Sequence, residues 1–195
     1  MVRNPGTNAT ANKYPRPVFI AYSAMIAAAY VVLTIIVASV NLASGAIQVR
    51  ISEALTILPA FTVTAVPGLF VGCIISNIVT GCAPFDVVFG SIATLIGALG
   101  TYALRKRHRI LASVPPIVAN TVIVPFVLKY VYDMPGGIPY FMLTVGIGEV
   151  ISCGIVGQAF YHVLYPLRNK LFGFPQAGDS PVTSEAGSGN DGENN

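Results

Sequence analysis

Long apolar tracts separated by short polar segments dominate the chain. Five of them approach or exceed the roughly 20 residues that an α-helix needs to cross a hydrocarbon core of about 30 Å. The first is too long for the hydrophobic region of a secretion signal, so we interpret it as a span. The tracts are Val18–Val40, Ala54–Thr80, Val87–Leu104, Ile110–Val131 and Tyr140–Tyr165. This pattern predicts an all-α integral membrane bundle.

Composition supports this prediction. Hydrophobic residues make up 54% of the chain, charged residues make up 10%, and the mean hydropathy is +0.70. A soluble domain carries about 25% charged residues to keep its surface wet. A soluble globular fold is therefore excluded, and we expect a multi-pass protein of the cell membrane.

The few cations indicate the topology. Nearly all of them fall in three clusters, and the positive-inside rule places such clusters in the cytoplasm. The clusters are Arg3, Lys13 and Arg16; Arg105, Lys106, Arg107 and Arg109; and Arg168 and Lys170. The first tract then leaves the cytoplasm and the third returns to it, so the second must begin and end outside.

A single span cannot begin and end on one side, so the second tract is predicted to be a hairpin of two short helices. Breaks or kinks are expected at Pro59 and Pro67, with a turn around Val66-Pro67-Gly68. The result is six transmembrane helices, the second and third of them short, with cytoplasmic N- and C-termini. The alternative is one long tilted helix, which gives five spans and an external C-terminus.

These boundaries define three regions. Residues 1–16 form a cytoplasmic N-terminal segment, 17–168 a six-helix substrate-binding domain, and 174–195 a disordered cytoplasmic tail that is rich in Gly, Ser and Asn. The three cysteines match no zinc or redox spacing and are interpreted as packing residues. We expect neither a metal nor a cofactor.

Glu149 is the most informative polar residue, because it lies well inside the last apolar tract. A carboxylate at such depth costs about 2.5 to 3.5 kcal/mol on insertion scales, so by default it faces a cavity or a partner. The alternative is a neutral, hydrogen-bonded acid that fixes helix packing.

Arg50 and Glu53 form a second candidate feature, at the outer end of the second helix. Ser52 is expected to be the N-cap there, and Glu53 would favour the positive end of the helix dipole. Capping does not explain Arg50, which has either a ligand or gating role or a local salt bridge with Glu53.

Other polar residues have two interpretations each. Asn77 and Asn120 are intramembrane amides that either bind a ligand or join helices. Asp86 and Asp133 are predicted to be solvated at the outer surface. Ala24 and Ala28 in the first helix form a small-xxx-small pair, which favours close approach of another helix of this chain or of a partner.

The absence of common catalytic motifs restricts the classes of function that the sequence predicts. The sequence has no G-x-x-x-x-G-K-[ST] phosphate loop, no H-E-x-x-H and no G-x-S-x-G. A small six-helix bundle with one deep acid and a polar outer end, and without these signatures, is expected to be a solute-binding membrane subunit rather than an enzyme. A free-standing proton-coupled carrier that uses Glu149, and a membrane enzyme or structural subunit, stay open as other classes.

Two motifs resemble a known family. Val49-Arg-Ile-Ser-Glu-Ala-Leu-Thr-Ile-Leu-Pro59 and Pro67-Gly-Leu-Phe-Val-Gly-Cys-Ile-Ile-Ser-Asn77 follow an Ala-rich first helix. This combination resembles the queuosine-precursor transporter (QueT) family, whose members are S components of energy-coupling factor (ECF) transporters. The resemblance covers roughly Arg16 to Arg168, and the R-x-S-E-A-L run is its most specific part.

The resemblance implies uptake of a 7-deazaguanine such as preQ1, preQ0 or queuine; another vitamin is the nearest competing solute. It also implies a transmembrane coupling subunit and two ATPase subunits as partners, with docking through Ala24 and Ala28. We assign Glu149 to the guanine-like edge of the base, whose adjacent N–H donors suit a carboxylate. Further contacts are expected from Glu53, Arg50, Asn77 and Asn120.

Overall fold

The computed structural model describes residues 15–39, 50–105 and 110–172, which form helices and no β-strand. The all-α prediction is therefore confirmed for these ranges. The predicted tail 174–195, and all but the last two residues of the predicted segment 1–16, lie outside them. The helices are α1 Arg16–Ser39, a 3₁₀ helix Ile51–Ala60 (the 3₁₀ arm), α2 Ala65–Val79, α3 Pro84–Leu104, α4 Val114–Tyr130, α5 Ile138–Glu149 and α6 Gly157–Phe172.

Two short non-α segments complete the helices. A 3₁₀ turn, Ile110–Ser113, leads into α4, and a π-helical segment, Val150–Val156, joins α5 to α6 without a break. Four helical runs in the described residues are long and apolar enough to cross a membrane. They are Arg16–Ser39, Pro84–Leu104, Ile110–Tyr130 and Ile138–Arg168. The 3₁₀ arm and α2, with 10 and 15 residues, are shorter than a bilayer span.

The second apolar tract is divided as predicted, so the alternative of one long tilted helix is wrong. The position predicted for its turn is also wrong, because the chain reverses at residues 61–64. Pro67 instead lies in the first turn of α2, where a helix tolerates proline because those N–H groups have no intrahelical acceptor. Gly68 packs against α1, where an added Cβ would lie 2.7 Å from the Ser23 carbonyl oxygen.

Contacts between neighbouring helices give their directions. Gly68 packs on Ser23, and Gly72 packs on Ala27, so α1 and α2 run parallel. Gly97 of α3 contacts Pro116, and Thr101 donates a 2.7 Å hydrogen bond to the Ala112 carbonyl, so α3 and α4 run antiparallel. In the described residues, the helical segments form six consecutive arms that alternate in direction, namely α1, the 3₁₀ arm, α2, α3, α4, and the continuous run of α5 and α6.

This alternation gives the bundle two distinct ends. One end, which we call the pocket end, contains Arg50, Asp86 and Tyr132, where the 3₁₀ arm and α3 begin and α4 has just ended. The opposite end, which we call the basic end, contains Arg16, Arg105 and Arg168. Both described termini of the helical body therefore lie at the same end.

The core sits where α1, the 3₁₀ arm, α2 and α3 meet. Tyr30 and Leu69 are almost completely buried there, and Cys73 and Ala98 fill the space between helices. The 3₁₀ arm is unusually long for this kind of helix, which seldom exceeds three or four residues. Its residues 52–59 are all buried, so tertiary packing holds it in place.

Candidate functional site

A cavity of about 370 Å³ opens at the pocket end. Its volume lies in the range of small-molecule sites, and its wall combines polar with apolar side chains. The polar lining comes from Thr34, Arg50, Ser52, Asn77, Thr80, Cys82, Asp86 and Tyr132, and the remainder from Val37, Ala38, Val124, Leu128 and Met134.

Asp86 is buried, which corrects the prediction that it is solvated at the surface. It occupies the first turn of α3, where an acid favours the positive end of the helix dipole, and only 5% of it is exposed. The Tyr132 hydroxyl donates a 3.0 Å hydrogen bond to Asp86 Oδ2, and Arg50 Nη2 lies 3.9 Å from the same oxygen. The chain after α4 therefore places a residue over Asp86, whereas Asp133 is exposed as predicted.

Arg50 precedes the 3₁₀ arm and is its N-cap residue, so the prediction of Ser52 as N-cap is wrong. Ser52 lies within the helix and is 1% exposed. The ion pair of Arg50 is with Asp86, not the predicted local bridge with Glu53. Arg50 thus links the start of the 3₁₀ arm to the start of α3.

Tyr132 closes the polar side of the cavity. Its hydroxyl accepts a 3.0 Å hydrogen bond from the Ala83 N–H while it donates to Asp86. Partial burial, together with the negative charge of Asp86, raises the pKa of Tyr132 to about 12. The phenol therefore keeps its proton at neutral pH and acts as a donor.

Two further carboxylates, Glu53 and Glu149, lie deeper in the bundle. Glu53 is 1% exposed, and its Oε1 accepts hydrogen bonds from the Tyr30 hydroxyl and from Thr94 Oγ1, the latter at 3.3 Å. Glu53 Oε2 is buried and has no hydrogen-bond partner among the described residues. Half of this carboxylate is therefore unsatisfied.

Glu149 approaches Glu53 from α5. Its Oε1 accepts a 3.0 Å hydrogen bond from Asn120 Nδ2, and its Oε2 accepts one of 3.2 Å from the Cys153 thiol one turn further on. The ligand atoms of Glu53, Glu149 and Cys153 all lie within 4.8 Å of one another. We call Glu53 and Glu149 the deep pair.

Arg50 lies between the cavity and the deep pair. A narrow crevice of about 10 Å³ is lined by Arg50, Asn120, Val124, Val145 and Glu149. Arg50 and Val124 line the cavity as well. The two spaces therefore share a wall, and the Arg50 side chain is the charged part of it.

The five predicted site residues fall into two groups. Arg50 and Asn77 line the cavity, whereas Glu53, Asn120 and Glu149 form the deeper cluster. The sequence reasoning missed several residues that complete these groups, and the interpretation of Cys153 as a mere packing residue is incomplete, because its thiol binds Glu149. The missed residues are Asp86 and Tyr132 at the cavity and Tyr30, Thr94 and Cys153 at the deep pair.

Ala24 and Ala28 are exposed on α1, so a helix of the described chain does not cover them. The inward face of α1 is formed instead by Ser23, Ile26 and Ala27, which contact Gly68 and Gly72 of α2. Within the described residues, the alanine pair therefore does not join two helices of this chain. The pair is left facing outward.

Comparison with known proteins identifies the family. The family model of the QueT transporter matches residues 20–166, which include the cavity, the deep pair and the exposed alanines. Searches of curated proteins and of solved structures found no match. The matched residues contain all four candidate spans almost completely, in agreement with a multi-pass membrane transporter that is not an enzyme. Because the match covers most of the 195 residues, the chain belongs to the QueT transporter family.

Proposed function

We propose that this chain is the substrate-binding S component of an ECF-type importer and that it captures a queuosine precursor from outside the cell. The solute is a 7-deazaguanine such as preQ1, preQ0 or queuine. The observation that carries the proposal is the polar cavity above two buried carboxylates, in a chain of a transporter family. Apolar walls with a few directed polar groups suit a flat heteroaromatic ring.

The proposed contacts divide between the two groups of residues. Arg50 and Asn77 face the cavity, where a guanidinium and an amide supply donors and an acceptor for the base. Glu53, Asn120 and Glu149 form the deep end of the same site. The site binds its solute by hydrogen bonds and charge, without covalent chemistry.

The proposed orientation puts the pocket end outside and the basic end in the cytoplasm. The described cations Arg16, Arg105 and Arg168 lie at the basic end, as the positive-inside rule requires of a cytoplasmic face. All six helical arms then belong to the membrane bundle, with the short 3₁₀ arm and α2 shielded by their neighbours. Both chain termini are cytoplasmic in this arrangement.

The energy for import comes from other subunits in this proposal. The sequence has no phosphate-binding loop of its own, which agrees with the two ATPase subunits and the transmembrane coupling subunit that the ECF role implies. The outward-facing Ala24 and Ala28 form the docking face for the coupling subunit, because small residues allow helix backbones to approach closely in lipid.

Binding is tested with the purified full chain in detergent by isothermal titration against preQ1, preQ0 and queuine, with guanine and thiamine as comparison solutes. We expect saturable binding of at least one 7-deazaguanine and weaker binding of the comparison solutes. Binding of thiamine alone would indicate an S component for another vitamin.

Docking is tested by co-purification with the coupling subunit and the ATPase subunits. Ala24→Leu is expected to abolish the complex while it leaves solute binding intact, because the added branches hold the partner helix away. Ala103→Leu, at an exposed alanine on α3, is the matched control and is expected to keep the complex. A stable complex with Ala24→Leu would refute the docking face.

Burial of Glu149 favours one competing function, a stand-alone proton-coupled carrier. The two functions differ in their energy source, because the carrier uses a proton gradient alone whereas the S component needs its ATPase and coupling subunits. Liposomes that contain only this chain are expected to accumulate no 7-deazaguanine under a proton gradient, and accumulation would favour the carrier.

A further inference from the structure

Charge is unbalanced around the site. The cavity and the deep pair contain three buried carboxyl groups, those of Glu53, Asp86 and Glu149, and Arg50 is the cation that lies among them in the described chain. Arg50 pairs with Asp86. Among the residues that the structure describes, the hydrogen-bond donors to the deep pair are neutral: Tyr30, Thr94, Asn120 and Cys153. One cation, Arg50, is therefore shared among three buried carboxyl groups, and the two of the deep pair are only partly compensated.

The geometry does not fit a proton shared directly between Glu53 and Glu149. An O–H···O⁻ hydrogen bond brings its oxygens to about 2.5 to 2.7 Å. Glu53 Oε2 makes no hydrogen bond, and no hydrogen bond joins the two acids. The deep pair is arranged as two acceptors around a donor that comes from elsewhere.

The available space limits what that donor is. The crevice beside Glu149 measures about 10 Å³, which holds roughly one water-sized group. An ammonium group is about this size, and an aromatic ring is not. The cavity of about 370 Å³ on the other side of Arg50 is large enough for a ring.

We propose that the deep pair binds a protonated primary amine carried by the solute, while the ring of the solute occupies the cavity. This inference rests on the proposed function and narrows its substrate class to 7-deazaguanines that bear a cationic side chain. The amine, rather than the guanine-like edge assigned to Glu149 from the sequence, donates to Glu53 Oε2 and to Glu149, and its charge compensates the pair. The Arg50 side chain, which lines both spaces, shifts to admit the arm that joins ring and amine.

The proposal predicts selectivity for charge at constant ring structure. PreQ1 carries an aminomethyl group where preQ0 carries a neutral nitrile, so the two form a matched pair of ligands. Hydrogen bonds to charged groups contribute about 1.5 to 3 kcal/mol, and 1.4 kcal/mol is a factor of ten in affinity. We expect the purified chain to bind preQ1 between about 10 and 100 times more tightly than preQ0.

The test measures both ligands by isothermal titration on the wild type and on Glu53→Gln, Glu149→Gln and Asp133→Asn. Either glutamine variant is expected to lower the preQ1-to-preQ0 affinity ratio by about tenfold, because only preQ1 loses a charged partner. Asp133→Asn removes an exposed acid and is expected to keep the ratio. The ratio guards against misfolding, because a damaged protein loses affinity for both ligands together.

Three results would overturn the inference. Equal affinity for preQ1 and preQ0 would show that the deep pair does not bind an amine. A wild-type preference that persists in both glutamine variants would place the amine elsewhere. Competition of preQ1 binding by zinc or sodium ions, with no preference for the amine, would identify an inorganic cation site. Failure to bind any 7-deazaguanine is a different result, which refutes the proposed function.

Discussion

The opening of the cavity, which we call the mouth and define by Arg50, Asp86 and Tyr132, contains a buried acid, as does the deep pair. The two regions differ in the groups that compensate these acids. At the mouth, Asp86 receives a hydroxyl from Tyr132 and the nearby positive charge of Arg50. In the deep pair, Glu53 and Glu149 receive hydroxyl, amide and thiol groups, and one carboxylate oxygen receives nothing. At the mouth the chain itself supplies the counter-charge, whereas for the deep pair we propose a cation carried by the solute.

Under the proposed function, this difference distinguishes an acid that stabilises the fold, Asp86, from acids that bind the solute, Glu53 and Glu149. An ion pair whose two partners both belong to the protein fixes the positions of the helices that carry them. Removing one partner leaves the other as a buried charge without compensation, which destabilises the fold. Acids without a full counter-charge destabilise the ligand-free protein, and binding of a cationic ligand relieves this destabilisation. The comparison therefore predicts that neutralising an acid has opposite effects on stability in the two regions.

Loss of Arg50 is expected to have the largest effect on the free protein. Arg50→Gln removes the cation of the mouth and leaves three buried carboxyl groups without compensation. Breaking a fully buried pair costs about 3 to 5 kcal/mol, and we expect about 2 kcal/mol here because a quarter of the Arg50 side chain is exposed. Thermal unfolding in detergent is expected to show a midpoint several degrees lower.

A double variant provides the control for this prediction. Arg50→Gln combined with Asp86→Asn removes both charges of the pair, and we expect it to be more stable than Arg50→Gln alone. The coupling energy from the double-mutant cycle measures the pair itself. An additive result would mean that the mouth is not compensated by this ion pair, and the contrast between the two regions would fail.

The second prediction concerns whether neutralising an acid raises or lowers the stability of the ligand-free protein. Glu149→Gln keeps the size of the side chain and removes one of two neighbouring buried charges, so we expect it to stabilise the ligand-free protein by about 1 kcal/mol. Asp86→Asn is expected to destabilise it by a similar amount, because Arg50 loses its partner. Unfolding midpoints without ligand compare the two variants, and a shift in the same direction for both would contradict the prediction.

Much of the fold followed from the sequence because hydrophobic length and the distribution of cations are local signals. They were sufficient to predict that the second tract divides, although its turn lies at residues 61–64 rather than at Val66-Pro67-Gly68. Proline marks a break only when it falls inside a helix, and Pro67 falls in the first turn of one. The position of the turn depended on how α2 packs on α1.

The site was predictable in part for the same reason. Glu149 stood out because a carboxylate in an apolar tract is rare, and Glu53 because it follows Arg50 by three residues at the predicted outer end of a helix. Asp86 did not, because it lies beside a helix start, where acids are common, and its burial depends on Tyr132, which is 46 residues away along the chain. Nor did the sequence show that Ala24 and Ala28 face outward, since Ser23 and Ala27 offer the same small surface one position earlier.

The substitution with the smallest expected effect, at Tyr132, tests the outer edge of the mouth. Tyr132→Phe removes the hydroxyl that donates to Asp86 and accepts from the Ala83 N–H. Because the side chain is 41% exposed, water replaces much of what is lost, and we expect a destabilisation of only about 0.5 kcal/mol. Affinity for preQ1 is expected to fall less than threefold, since the Arg50–Asp86 pair stays in place. A loss as large as that of Glu149→Gln would mean that the hydroxyl contacts the solute directly, and the mouth would then share the ligand-binding role that the comparison gives to the deep pair.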